Sequence, residues 1–273
     1  MRIVTASDYT ALERPALSWI IEGYLPQPSL TVLLGEPFAG KSFLALQLGF
    51  QIARGENALG AKTKQGAVLY FQFDTSEFVW RDRLQTIKQK GGNTTGPLYL
   101  VHPSDNPSSC NILDTTTQRN LADAIQQASP SLIIFDVMRE LHNKKEDSST
   151  DMKVVGDAIM NLTKGYATII LHHTSKISNK ENVRVIDLSR GSSYLTGKAD
   201  SVWCLIDNHL HIIPRFAERQ VVEGKREATG YWAFPGLERS HTQNTVVPQA
   251  IPNLPHKQLS HSTPATHPLS LPI

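Results

Sequence analysis

An α/β fold, with a mostly parallel central sheet flanked by helices and an antiparallel edge toward the C-terminus, is what three features of this 273-residue sequence predict. The first is Gly35-Glu36-Pro37-Phe38-Ala39-Gly40-Lys41-Ser42, which fits the spacing G-x-x-x-x-G-K-[ST] at every fixed position. The second is its setting. Leu30-Thr31-Val32-Leu33-Leu34 before it is a run of strand formers, and Ser42 to Ala53 after it places Phe43, Leu46 and Phe50 at helical spacing. The third is repetition. Further short apolar runs at 67–73, 132–136 and 167–171 alternate with helical periods at 77–90, 117–128 and 151–164, the pattern of βα units in a parallel sheet.

A strand, a glycine-bounded loop and a helix in that order make a phosphate cradle. The helix start is electropositive, and the curled backbone aims successive N–H groups inward. Residues Gly35, Glu36, Pro37, Phe38, Ala39, Gly40, Lys41, Ser42 and Phe43 are therefore expected around a nucleotide triphosphate, with Lys41 on the β and γ oxygens and Ser42 on Mg²⁺. A glycine turn that binds nothing is the competing reading. It does not account for Lys-Ser in register between a strand and a helix.

Composition narrows the classes. A formal charge of +2 does not mark the whole molecule as a nucleic-acid binder, so any such surface must be local. Cys110 and Cys204 lie far apart without a metal-ligand spacing, which suits a reducing, cytoplasmic compartment. No run approaches the ~18 apolar residues of a spanning helix, and the start lacks a signal peptide's apolar segment, so no membrane association is expected. The expected organisation is one domain over 1–239, opened by a packing segment over 1–28 that carries Leu17, Trp19, Ile20, Ile21 and Leu25 before Pro26 and Pro28. Residues 240–273, with six prolines, four histidines and no acids, read as a disordered tail.

The strand at 67–73 ends at Asp74, on the side of the sheet where an acid can reach a bound nucleotide; capping of the next helix is the alternative role. Helix 77–90 carries Arg81, Arg83, Lys88 and Lys90 on a basic face. Leu98-Tyr99-Leu100-Val101 reads as another short strand. Leu132-Ile133-Ile134-Phe135-Asp136 has the form of a buried strand whose terminal Asp completes a Mg²⁺ shell. The strand at 167–171 ends in His172-His173, where a histidine can bond the γ-phosphate and report its loss to a neighbouring loop. Zinc is the rival there, but adjacent strand residues point to opposite faces. A polar, basic loop over 174–189 follows with Lys176, Lys180 and Arg184. Asp200 to Ile206 and Leu210 to Pro214 read as a strand and its hairpin partner, and Tyr231 to Phe234 as a further edge strand.

Taken together, the phosphate loop, Asp74, Asp136, His172-His173 and Arg190-Gly191-Ser192-Ser193 resemble the RecA-like ATPases, above all the RepA-type hexameric helicases of plasmid and phage replication. The resemblance covers about Trp19 to Leu205 and includes the phrase Ala39-Gly40-Lys41-Ser42-Phe43-Leu44-Ala45-Leu46-Gln47-Leu48. It implies a homo-oligomeric, hexameric ring with ATP and Mg²⁺ between neighbours, Asp136 in the metal shell and His172 as γ-phosphate sensor. It further implies single-stranded DNA against the loop of Lys176, Lys180 and Arg184, and contact with other replication proteins. Two positions depart from the pattern. Asp74 stands where the family has a catalytic glutamate, and Asp200 stands where close relatives have the arginine lent to a neighbour's transition state. Related families use the following hairpin for that arginine, which makes Arg215 the candidate, with Arg83 and Arg190 as further arginines for the nucleotide. The expected function is a ring-forming replicative DNA helicase or translocase. An ATP-binding assembly or regulatory protein with little hydrolysis is the alternative, and a small-molecule kinase is weaker because no acceptor pocket or arginine-rich lid is evident.

Overall fold

The computed structural model describes residues 3–13, 16–91, 95–101, 110–174 and 193–234. The first part of the chain forms α1 (Ala6–Ala11), the hairpin β1 (Ser18–Ile21) and β2 (Leu25–Gln27), then β3 (Ser29–Gly35) and α2 (Lys41–Arg54). Next come β4 (Val68–Gln72), α3 (Glu77–Gly91), β5 (Leu98–Val101), α4 (Thr115–Ala128) and β6 (Leu132–Asp136). A 3-10 turn at Met138–Leu141 leads to α5 (Ser149–Leu162), β7 (Ala167–His173), α6 (Tyr194–Lys198) and β8 (Ser201–Ile206). The described chain ends with β9 (His209–Pro214), β10 (Gln220–Glu223), β11 (Lys225–Arg226) and β12 (Trp232–Ala233).

β3 is buried along its whole length, which explains why its sequence is a continuous apolar run rather than an alternation. It lies inside an eight-stranded sheet of order β10-β9-β8-β3-β7-β6-β4-β5. The strands from β8 to β5 in that order are parallel, and β9 and β10 add the antiparallel edge. Because β7 lies between β3 and β6, the strand that ends in Asp136 is one strand removed from the phosphate loop. Two apolar layers result from side chains alternating across the sheet. Leu33, Tyr70, Ile134 and Leu171 face α2 and α3, while Val32, Leu34, Ile133, Phe135 and Ile170 face α4, α5 and α6.

Several expectations are corrected here. Tyr231–Phe234 is not an edge of the main sheet: β12 pairs with β11 in a separate two-stranded ribbon, and β10 forms the edge. The opening segment does contribute Ile20, Ile21 and Leu25 to the core, as a hairpin, but Leu17 is exposed and α1 buries nothing. On α3 Phe78 is exposed, and Trp80 and Ile87 carry the apolar face. Among the described residues no helix is long and apolar enough to cross a membrane. The tail over 240–273, together with Lys176, Lys180, Arg184 and Arg190, lies outside the described residues.

Candidate active site

The loop between β3 and α2 turns on a backbone that only glycine tolerates. Gly40 has φ 96°, and a Cβ there would sit 3.0 Å from Arg226 Nε and 3.2 Å from the Trp232 ring. No side chain caps α2 at this end, so its first-turn amides and the positive end of its dipole are presented to whatever anion enters the loop. Lys41 is 5% exposed, and its ammonium donates to the Gly35 and Glu36 carbonyls at 2.8 Å. Burial lowers its pKa to about 8, against the opposing pull of Asp136. A phosphate in the loop would replace those carbonyl contacts and further favour the charged ammonium.

Ser42 starts α2 with its hydroxyl donating to Asp136 Oδ1 at 3.0 Å, across the width of β7. The other carboxylate oxygen, Oδ2, accepts from the Tyr70 hydroxyl at 2.7 Å. Burial raises the Asp136 pKa, and the bonds from Tyr70 and Ser42 work against that rise. The donor set of Ser42 Oγ and Asp136 Oδ1 consists of hard oxygens close together, which fits Mg²⁺ arriving with a nucleotide's phosphates. Asp74 follows β4 and lines the same cleft, about 680 Å³ in volume, opposite the loop. Arg83 also lines it, one turn into α3, and its guanidinium donates to Thr75 Oγ1 at 3.3 Å. The Gln72 amide braces the same turn through the Thr75 carbonyl at 2.9 Å.

The histidine pair divides between the two faces. Leu171 belongs to the α2 side and Ile170 to the other, so alternation carries His173 into the cleft and His172 away from it. His173 Nδ1 lies 3.4 Å from Lys41 Nζ, and His173 lines the cleft. Burial, then the Lys41 charge, lowers its pKa. An ammonium can only donate, so Nδ1 accepts and the ring proton sits on Nε2. His172, the side chain expected to meet the γ-phosphate, is 3% exposed and lies on the opposite face of β7.

Arg215 is not at the cleft. β9 runs antiparallel to β8, which puts Arg215 beside the start of β8, while the phosphate loop follows the C-terminal end of β3. Its guanidinium is occupied, with Nε donating to the Ala199 carbonyl at 2.7 Å and Nη2 to the Gly197 carbonyl at the end of α6. The arginine that does reach the loop is Arg226 on β11, whose Nη1 donates to the Phe38 carbonyl at 2.8 Å. The role expected of Arg215 is at a neighbouring subunit's nucleotide, so its distance from its own cleft leaves that role untouched; Arg226 is a separate contact to the loop within the chain.

The ribbon of β11 and β12 is tied to α2 by a reciprocal pair of bonds. The Gln47 amide donates to the Trp232 carbonyl at 2.8 Å and accepts from the Trp232 N–H at 3.0 Å. Lys90 and Glu227 add an ion pair at 2.7 Å. The turn between the strands, with Ala228, Thr229 and Gly230, thereby walls the cleft next to Phe43.

Two solved structures share this architecture. The KaiC-like protein PH0186 from Pyrococcus horikoshii OT3 aligns at TM-score 0.51 and 12% identity over 79% of this chain and 93% of its own. The ATPase domain of G40P aligns at TM-score 0.55 and 12% identity over 76% of this chain and 84% of its own. At that identity they speak for the fold. No curated protein matches the sequence. A family model described as an AAA domain, AAA_25, matches residues 1–179, a span that holds the phosphate loop, Asp74, Asp136 and the histidine pair. By that match and by the sheet order around the loop, the chain belongs to the AAA_25 family and is a P-loop ATPase domain of RecA-like fold.

Proposed function

We propose that this protein binds ATP with Mg²⁺ in the cleft at the start of α2, hydrolyses it, and uses the cycle as a ring-forming DNA helicase or translocase. The observation that carries the chemical part is convergence: Lys41, the Ser42–Asp136 pair, Asp74 and His173 come from one helix and the ends of three strands yet face one cleft. The loop amides and Lys41 hold the phosphates, and Lys41 concentrates charge where the β and γ oxygens lie. Ser42 and Asp136 would hold Mg²⁺, which would neutralise charge on the transferring group. Asp74 orients the attacking water and accepts its proton. His173 donates from Nε2 to the terminal phosphate and loses that bond on its departure. Thr229 and Phe43 stand at the other end of the cleft, where the base would lie.

The motor part rests on the resemblance to RepA-type helicases. In that reading Lys176, Lys180 and Arg184 line a channel for single-stranded DNA. The deciding experiment is ATP hydrolysis with and without single-stranded DNA over a range of salt, with particles imaged in the presence of a non-hydrolysable analogue. DNA-stimulated turnover and rings support the motor. Neutralising the three basic residues should then weaken DNA binding and flatten its salt dependence while basal hydrolysis survives. A second reading, ATP-dependent assembly with little turnover, is favoured by one observation: the acid at the cleft mouth is the short Asp74. Nucleotide-dependent oligomers without measurable hydrolysis would select it.

A further inference from the structure

We infer that Tyr70 is a positioning residue for the metal end of the nucleotide site, holding the Asp136 carboxylate so that its Oδ1 faces the cation; this rests on the reading of the cleft as a Mg²⁺-ATP site. Tyr70 lies in the middle of β4, 0% exposed, among positions where phenylalanine serves the packing well: Phe71 beside it, and Phe135 on the neighbouring strand. A hydroxyl there is a desolvated polar group that costs free energy unless it has a partner. Its partner is Asp136 Oδ2, at 2.7 Å, and the Ser42 main-chain carbonyl is 3.2 Å away.

One phenol thus touches both components of the oxygen set, the acid that ends β6 and the residue that starts α2. Ser42 Oγ takes the other carboxylate oxygen, so each oxygen of Asp136 has its own donor and the group has one rotation about its axis that satisfies both. Trp80 packs on the Tyr70 ring at 5.2 Å between centroids, which fixes where the hydroxyl points. The Ser42 hydroxyl, giving its proton to Oδ1, keeps its lone pairs for a cation. Orienting partners of this kind, which act on a ligand rather than on the ion, are worth about 10–100-fold in metal affinity elsewhere.

Tyr70→Phe removes the hydroxyl and keeps the ring. Binding of a fluorescent ATP analogue, titrated with Mg²⁺, should show the half-saturating Mg²⁺ concentration rising about 10-fold or more, while affinity for the analogue in EDTA stays within about twofold of the native protein. A packing role alone would lower both affinities together or neither. An unchanged Mg²⁺ requirement, or parallel losses of both affinities, overturns the inference and leaves the nucleotide reading standing; a native protein without Mg²⁺-dependent nucleotide binding overturns both. Should the variant not fold, 3-fluorotyrosine placed at position 70 of the native chain decides. Its fluorine resonance should move when Mg²⁺ is added to the analogue complex, and a resonance indifferent to Mg²⁺ overturns the inference.

Discussion

The two faces of the central sheet are built from the same strands and the same kinds of apolar residue, yet one opens onto the cleft and the other closes over a core. On the α2 side, Asp136 and His173 reach the cleft two residues beyond the core positions Ile134 and Leu171, and the buried Tyr70 hydroxyl bonds Asp136 from behind. On the α4 and α5 side, the same strands present Phe71, Phe135 and His172 to a closed core. What differs is the helix. α2 brings an uncapped N-terminus to the ends of β3, β6 and β7, so the strand-end side chains that share its face line the cleft and their immediate neighbours pack the core.

Mutations can break that contrast, and the largest effect belongs to Lys41. Lys41→Ala removes charge-assisted bonds to two phosphate oxygens, and ATP affinity measured by titration calorimetry should fall on the order of 100-fold or more. Asp136→Asn should leave most nucleotide affinity and reduce Mg²⁺-dependent turnover by about 100-fold, because an amide is a poor partner for the cation. The sharpest comparison is the histidine pair. His173→Ala should lower turnover about 10-fold with little change in melting temperature. His172→Ala should do the opposite, costing about 1–3 kcal/mol of stability by denaturant titration while per-molecule turnover at low temperature holds. Equal effects of the two on turnover would erase the division between faces. Gln47→Ala tests how far the α2 face extends to the ribbon: losing both bonds to Trp232 should destabilise by about 1–3 kcal/mol and raise KM for ATP more than it lowers kcat. The smallest effect is a gain. Asp74→Glu lengthens the acid by one methylene, and kcat should rise a few-fold, to about 2–5 times native, if reach limits the chemistry; a large loss would mean that the cleft is shaped around aspartate.

Legibility in the sequence followed the range of the interactions involved. β3, α2 and β6 were readable because their signals are local: continuous apolar runs, a helical period and a motif whose spacing is set by backbone geometry. Asp74 and Asp136 were placed correctly at strand ends that face the loop. His172 and His173 are legible as a pair, but which of them lines the cleft is not, because parity along β7 acquires meaning only once α2 is known to cover the face of Leu171. Arg226 shows the same limit at longer range. Nothing near Arg226 in the chain announces that its guanidinium lies on Phe38, 188 residues away. The ribbon holding it pairs with itself and meets α2 through Gln47, a residue whose helical neighbours gave no reason to look for a partner.

Eleven of the fourteen residues of α2 are buried, and its far end is closed by Gly55 at φ 71° with bonds back to Gln51 and Ile52. A helix held that closely on so many sides behaves as an anvil. It cannot recoil when a phosphate bond beside it breaks, since any shift would open voids against both the sheet and the ribbon. Under the proposed ATP cycle, movement would therefore pass through the other walls of the cleft, the turn carrying Asp74 and the tip of the ribbon at Thr229, and not through α2.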